Sequence, residues 1–237
     1  MSKGTIYMIP TTLGGESTLD IVPEEVRQIT IGLRTFIVED IKSARRFLRK
    51  LDRAFPIDES TFHVLNKKTD RGSLHRFIDT AVQGGEIGVM SEAGCPGVAD
   101  PGAEIVSLAH QLGLRVHPFV GPSSILLTLM GSGFSGQNFS FHGYLPKDRR
   151  DRVKALKEFE HDTRKTKATH LFMDTPFRNV HVLEDMLNEL ADNTQICVAS
   201  NITLPDASIR TMSVKDWRDN TYDIGKRPTM FAIGTNQ

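Results

Sequence analysis

Along the first half of the chain, short apolar runs alternate with amphipathic stretches, and each run ends in a cluster of small or turn-forming residues. That rhythm predicts a βα repeat. The expected strands are Thr5 to Ile9, Thr35 to Val38, Thr61 to Leu65, Ile87 to Met90 and Arg115 to Phe119. Between the third and fourth, Leu74, Phe77, Ile78, Ala81 and Val82 recur at i, i+3, i+4, i+7 and i+8. This predicts one helix with those side chains on its buried face, stopped by Gly84-Gly85. A further helix is expected to start after Asp100-Pro101-Gly102 and to end near Gly113, because glycine is favoured just past a helix C-terminus.

The alternation resumes after Val120-Gly121-Pro122. It predicts an apolar helix from Ser123 to about Met130, a strand near Phe139 to His142, and a charged helix from Arg149 to about His161. A strand from His170 to Met173, a helix carrying Leu183, Met186, Leu187 and Leu190, and a strand from Ile196 to Ala199 follow. In the tail, Ile209 to Met212 and Met230 to Ile233 are β-prone runs separated by a loop around Trp217, and read as a hairpin at a sheet edge. A boundary near residues 118 to 123 divides the chain into α/β domains of residues 1–120 and 121–237. The fold class is therefore α/β, and two such domains predict a ligand cleft between them.

Composition narrows the function. A chain of 237 residues suits one or two domains, and at this size it buries about 70 to 75% of its unfolded surface without covalent staples. The two cysteines, Cys95 and Cys197, lie far apart with no neighbouring Cys or spaced His pair, which argues against a disulfide framework or a zinc ribbon. The longest apolar run, Ile125 to Met130, is interrupted by Thr128 and falls far short of the roughly 20 residues that span a bilayer. Met1 to Tyr7 has no long apolar stretch, so a soluble cytoplasmic protein without membrane contact is expected.

Lys plus Arg number 29 and Asp plus Glu 29, a formal net charge of zero. That balance conceals segregation. Lys42, Arg45, Arg46, Arg49, Lys50 and Arg53 share one face of a predicted helix, opposite Ala44, Phe47, Leu48 and Leu51. A second basic group, Lys147, Arg149, Arg150, Arg152, Lys154 and Lys157, follows Pro146. Each suits either a solvated helix face or a surface for RNA or a small anion.

Familiar ligand motifs are missing. Gly131, Gly133 and Gly136 match the spacing of a dinucleotide fingerprint, but they leave a predicted helix and enter a strand, the reverse of the required context. There is no Walker loop and no nucleophile elbow. His110 and His117 are seven residues apart across a predicted helix end, which makes a poor metal pair, and no metal is expected.

Four turns instead carry the signal, each at the end of a predicted strand. They are Pro10-Thr11-Thr12-Leu13-Gly14-Gly15, Ser91-Glu92-Ala93-Gly94-Cys95-Pro96-Gly97, Val120-Gly121-Pro122-Ser123-Ser124 and Asp174-Thr175-Pro176-Phe177-Arg178. Ligands of open α/β sheets bind outside the carboxyl ends of strands, so these turns could share one pocket. Small residues there allow close approach of backbone to ligand. Any one of them alone also suits an ordinary βα turn.

Together with Gly4-Thr5-Ile6-Tyr7, Glu39-Asp40, Val98-Ala99-Asp100-Pro101-Gly102 and Gly143-Tyr144-Leu145-Pro146-Lys147, these blocks follow the order seen in tetrapyrrole methylase-superfamily methyltransferases. The sequence most resembles the branch that methylates a ribose 2′-hydroxyl of small-subunit ribosomal RNA. The resemblance runs from about Gly4 to Ala199, with a weaker echo at Pro228-Thr229-Met230. It implies two α/β domains, a homodimer and S-adenosylmethionine (SAM) in the interdomain cleft. By motif position, the cofactor contacts would be Leu13, Glu92, Cys95, Ser124, Ile125, Met173, Ala199, Thr229 and Met230. Glu92 stands where related sequences usually carry Asp.

SAM has no phosphate, which agrees with the missing phosphate loops. Methyl transfer from a sulfonium depends mainly on alignment and desolvation, but a ribose hydroxyl benefits from a base. Asp40 and Lys147 are the candidates, although Asp40 also precedes a predicted helix as a cap would. Lys42, Arg45, Arg149 and Arg178 are candidate contacts to an RNA or small anionic acceptor. The pattern departs from the branch at Ile41-Lys42 in place of Thr-Arg, at the Pro10 to Gly15 loop, at Asp174-Thr175-Pro176-Phe177-Arg178 in place of Glu-Ser-Pro-His-Arg, and at Ser200-Asn201 in place of Arg-Glu. Most of these are substrate-side positions. They leave open a SAM-binding regulator or scaffold without catalysis, and more remotely an enzyme for another nucleotide.

Overall fold

A computed structural model describes residues 3–14, 21–220 and 223–235. Gly15 of the first turn lies outside them. The chain divides into two compact units, one ending at Ser123 and the other beginning at Ser124.

In the N-terminal unit β1 (Thr5–Met8) leads to α1 (Glu24–Gly32), β2 (Thr35–Val38), α2 (Ile41–Leu51) and β3 (Thr61–Val64). Then come α3 (Leu74–Phe77), α4 (Asp79–Val82), β4 (Glu86–Met90), α5 (Ala103–Gln111) and β5 (Arg115–Pro118). The five strands form one parallel sheet in the order β3-β2-β4-β1-β5. Parallel strands covered on both faces read as near-continuous apolar runs, the pattern of Phe36-Ile37-Val38 and Ile87 to Met90. Alternate side chains point to opposite faces. Ile6, Met8, Ile37, Ile87 and Val89 pack with residues of α3, α4 and α5. Ile9, Phe36, Val38 and Met90 pack with Val26 of α1 and with Ala44, Phe47, Leu48 and Leu51 of α2. Burying Phe47, Leu48 and Leu51 contributes about 1.5 to 3 kcal/mol each, while the cations across the helix stay in water.

The single helix expected over Leu74 to Val82 is two. Ile78, at φ −105° and ψ 5°, separates α3 from α4, so the register changes and Val82 is 50% exposed.

In the C-terminal unit the order is α6 (Ser124–Ser132), β6 (Phe139–Tyr144), α7 (Arg149–Thr166), β7 (Thr169–Met173), α8 (Asn179–Glu189), β8 (Gln195–Ser200), β9 (Ser208–Ser213), α9 (Val214–Asp219) and β10 (Thr229–Gly234). The sheet order is β6-β7-β10-β8-β9, with only the β6–β7 pair parallel. The tail is thus not an edge hairpin. β9 occupies the edge beside β8, whereas β10 inserts between β7 and β8 with all six residues buried. Nor is Trp217 in a loop. It is a buried residue of α9 whose Nε1 donates to the Ile196 carbonyl at 3.1 Å.

Phe172, Ile196, Val198, Phe231 and Ile233 face α7, α8 and α9. On the other face, Leu171, Cys197 and Ala232 pack with Ile125 and Leu129 of α6. α7 runs to Thr166, past the expected end, and stops at Lys167 in the left-handed conformation (φ 63°). Gly131 and Gly133, of the rejected fingerprint, serve packing and turning. A Cβ on Gly131 would lie 2.7 Å from Ile209 Cδ1, and Gly133 has φ +74°.

Candidate functional site

Three of the four strand-end turns meet in the N-terminal unit. β1 and β4 are neighbours whose chains leave in opposite directions, β1 toward β2 and β4 toward β5, which makes their junction a topological switch point. There Thr11 and Gly94 exchange both backbone hydrogen bonds, at 2.8 and 3.2 Å. The Thr11 hydroxyl donates to the Ser91 carbonyl at 3.4 Å. The third turn joins through Cys95, whose Sγ lies 3.4 Å from the Pro122 carbonyl oxygen. Gly94 has φ +72°, and a Cβ there would sit 3.2 Å from Leu13 Cδ2, so glycine is required both by conformation and by the approach of the first turn. Leu13, Glu92 and Cys95 therefore belong to one constellation. Glu92 is exposed and Cys95 partly so, the latter with its thiol pushed up by burial.

The same strand ends gather carboxylates. Glu39 follows β2, and its Oε2 accepts from the Glu92 amide at 3.3 Å. Burial, then Glu39 and Asp40, raise Glu92 above the usual carboxylate range. Asp100 is pushed up to about 6, chiefly by burial and by Glu39, against a smaller opposing hydrogen bond with Ser91. Asp40 behaves differently. It is the N-cap of α2, accepting from the Ser43 amide at 2.7 Å, and hydrogen bonding to Ser43 holds its carboxyl below the ordinary value. A capped carboxylate is a weaker base than a free one, so Asp100, pushed up to about 6, is better suited than Asp40 to accept a proton near neutral pH. Only the pairing of β2 with β4, Val38 opposite Met90, brings Glu39 beside Glu92 and Asp100. Strand adjacency is not written in one sequence, which is why Asp100 did not stand out there.

In the C-terminal unit, Met230 pairs with both Met173 and Ala199, and Thr229 with Ser200. Alternation puts Met173, Ala199 and Met230 on the face that also carries Leu171, Cys197 and Ala232, the face covered by α6. Ser124 and Ile125 open that helix. Five of the predicted cofactor residues are thus grouped on one face, and Thr229 flanks them with its hydroxyl 3.0 Å from Ser200 Oγ.

The two basic helices differ. On α7, Arg149 Nε binds Asp185 Oδ1 at 2.8 Å and its Nη2 binds Glu189 at 3.0 Å, Arg152 is buried against Asp185, and Lys157 binds Glu189 at 2.9 Å. On α2, Lys42, Arg45, Arg46 and Arg49 are exposed, and no ion pair among the described residues neutralises them. Arg45 lies over the Phe62 ring, 5.4 Å from its centroid. Lys147 is exposed ahead of α7. Arg178 is tied to Asp174 at 2.5 Å. Among the described residues, no group of three or more His, Cys, Asp or Glu is placed to hold a metal, and no helix is long and apolar enough to cross a membrane.

No protein-family model matches the chain. Individual relatives do. The Ribosomal RNA small subunit methyltransferase I of Halalkalibacterium halodurans is 32% identical over 201 residues, covering 85% of this chain and 65% of the relative. Its namesake from Vibrio cholerae is 27% identical over 211 residues, covering 89% of this chain and 69% of the relative. The chain thus spans about two thirds of the length of these relatives. Among solved structures, the methyltransferase CobJ superposes with a TM-score of 0.62 at 20% identity, over 99% of this chain and 95% of that one. Diphthine synthase gives 0.65 at 12% identity, over 98% and 89%. At such identities the likeness establishes the fold. By sequence the chain is similar to the Ribosomal RNA small subunit methyltransferase I proteins, and its fold is that of CobJ and of the cobalt precorrin-4 methyltransferase CbiF.

Proposed function

We propose that the chain is a SAM-dependent methyltransferase whose acceptor is an RNA ribose hydroxyl. The observation that carries this is the convergence of the Thr11, Gly94 and Pro122 turns at the β1/β4 switch point, built from the Ser91 to Gly102 block. The local chemistry fits the cofactor. Carboxylates of Glu39 and Glu92 suit a cationic sulfonium and ammonium, and the glycine-containing turn leaves backbone groups accessible without any demand for phosphate. The residues assigned to it are Leu13, Glu92 and Cys95 in the N-terminal unit and Ser124, Ile125, Met173, Ala199, Thr229 and Met230 in the C-terminal unit.

When bound, SAM supplies a methyl group activated by a sulfonium. The chain's own work is to orient the acceptor, exclude water and take up the hydroxyl proton. Asp100 is the assigned base. Asp40 organises the start of α2, and Lys147 is held in reserve as a second polar contact. Lys42 and Arg45, with Arg46 and Arg49, meet the acceptor's phosphates, whereas the guanidiniums of Arg149 and Arg178 are paired with Asp185, Glu189 and Asp174 and brace the polypeptide rather than bind the acceptor. A small tetrapyrrole-like anion is the alternative acceptor. The same reading makes the protein a cytoplasmic homodimer, which sedimentation at micromolar concentration checks.

The deciding experiment supplies SAM with a labelled methyl group to an extract of cells lacking the protein, then separates RNA, protein and small molecules. Label in RNA is expected. Label in small molecules alone moves the acceptor to the tetrapyrrole class. Stoichiometric SAM binding without label anywhere identifies a regulator or scaffold, a reading motivated by Ile41, Phe177 and Asn201 at the departure sites.

A further inference from the structure

β10 begins just after Pro228, which has no amide proton to donate, so the entry to the strand is held through carbonyl groups. Two successive carbonyls are caught there. Asn179, the first residue of α8, is fully buried, and its Nδ2 donates to the Arg227 carbonyl at 2.7 Å. The Asn201 amide, just past the end of β8, donates to the Pro228 carbonyl at 3.0 Å. The Arg227 carbonyl accepts a second bond, from the Thr229 hydroxyl at 3.0 Å. A hydroxyl carries one proton. With Thr229 donating to Arg227, the 3.0 Å contact between Ser200 Oγ and Thr229 Oγ1 has Ser200 as its donor. A directed chain thus runs from Ser200 through Thr229 to the Arg227 carbonyl, and Asn179 clamps the same oxygen from α8.

Asn179 is a costly residue for this position. Its Oδ1 is buried with no hydrogen-bond partner, a penalty that an apolar side chain of similar shape would avoid. What the amide alone supplies is the donor aimed at Arg227. The seating of α8 does not depend on that donor, because Val182, Leu183 and Met186 already hold the helix in the core. The bond acts instead on the residues that follow Arg227. Thr229 pairs with Ser200, and Met230 with Ala199 and Met173, at the strand ends assigned above to the cofactor.

We propose that Asn179 is a positioning residue for SAM: by fixing the carbonyl from which β10 starts, it sets Thr229 and Met230 where the cofactor meets them. It rests on the SAM reading above and gives Asn179 no contact of its own with the cofactor.

Asn179→Leu removes the donor and the orphaned Oδ1 together, and leaves the Arg227 carbonyl its bond from Thr229. Calorimetric titration with SAM is expected to show affinity lowered about 3- to 12-fold, the range of one neutral hydrogen bond, in a protein no less stable to urea than the parent. A merely structural side chain would lower stability as well. In the free protein, hydrogen exchange at the Asn201 amide should quicken while that of Val198, inside β8, stays parental. Asp185→Ala, which disturbs the α7–α8 contact of the same unit, should bind SAM as the parent does. Should Asn179→Leu not fold, Ser200→Ala, which cuts the chain at its far end, decides in its place, with an expected loss of about 2- to 5-fold. Parental SAM affinity in the deciding variant overturns the proposal, as does an equal loss in Asp185→Ala, and in either case the cofactor reading stands. A parent protein that binds no SAM removes the cofactor reading itself.

Discussion

Arg152 and Asp185 form a buried ion pair, with Arg152 Nη2 2.7 Å and Nε 2.8 Å from Asp185 Oδ2 and side-chain exposures of 7% and 5%. Arg152 also donates to the Lys147 carbonyl at 3.1 Å, so the pair fixes the segment that enters α7 as well as the α7–α8 contact. Deleting one member leaves the other charge buried and unpaired, which typically costs about 3 to 5 kcal/mol. Asp185→Ala is therefore expected to lower stability to urea by that order. Arg149, whose side chain is 61% exposed, shares the same carboxylate, and Arg149→Ala should cost far less because solvent screens its charge. Equal effects of the two substitutions would contradict this account of the pair.

The contrast between α7 and α2 gives a prediction about RNA. Replacing Lys42, Arg45, Arg46 and Arg49 together by Gln leaves the buried face of α2 intact. Each lost phosphate contact should reduce the slope of log affinity against log salt by about 0.7 on single strands. Lys157→Gln on α7, whose ammonium is committed to Glu189, should leave that slope unchanged. Filter-binding isotherms across a salt series measure both. If the four-fold variant kept the parent slope, the exposed cations would be a solvated face and nothing more.

Local pattern made the N-terminal unit legible because each of its parallel strands is a short apolar run between turns. Thr35 to Val38 coincides with β2. Two failures share a physical origin in tertiary context. Met230 to Ile233 reads as an edge strand by position in the chain, yet its unbroken burial belongs to the centre of a sheet. Leu74 to Val82 has helical spacing, but spacing does not reveal the break at Ile78. At the site, the turns were visible because glycine and proline mark them. The carboxylate group was not, since Glu39 and Asp100 are 61 positions apart and meet only through strand order. Likewise Arg149 and Lys157 look alike in sequence to Arg45 and Arg49, and only folding shows which of them carboxylates have neutralised.

A histidine pair predicts acid sensitivity in the C-terminal unit. His142 Nε2 lies 2.8 Å from His170 Nδ1, and His170 Nε2 lies 3.0 Å from Asp162 Oδ2, with Phe159 stacked on both rings. Burial lowers the His170 imidazole below 6.5, and partial desolvation under Phe159 lowers the more exposed His142, with the neighbouring His170 adding to the effect at His142 and Asp162 opposing it at both. Groups whose folded values are depressed favour folding while neutral, and that contribution is lost as pH falls below the unfolded value near 6.5. Stability should therefore decline between pH 7 and 5. His142→Phe, which retains a ring against Phe159, should make the decline shallower. An unchanged pH dependence in that variant would place the acid sensitivity elsewhere.

Asp100 yields paired predictions for rate and stability. With its carboxyl pushed up to about 6, methyl transfer to a hydroxyl should rise with pH through that value and level off above it, because only the ionised form accepts the proton. Asp100→Asn should abolish the limb and lower kcat by about 100- to 10,000-fold, the usual worth of a positioned base. SAM affinity measured separately by calorimetry distinguishes a lost base from a lost cofactor contact. The stability effect has the opposite sense. An acid whose folded value is raised from 3.8 to about 6 favours the folded state while protonated, and that contribution disappears as pH rises across the interval. Replacing the carboxylate by an amide should thus raise thermal stability more at pH 8 than at pH 4. A variant that lost both activity and stability at pH 8 would show Asp100 to be structural. Slower turnover in a more stable protein is the signature of a carboxylate that the fold keeps charged against its own preference, beside Glu39 and Glu92, for the sake of the reaction.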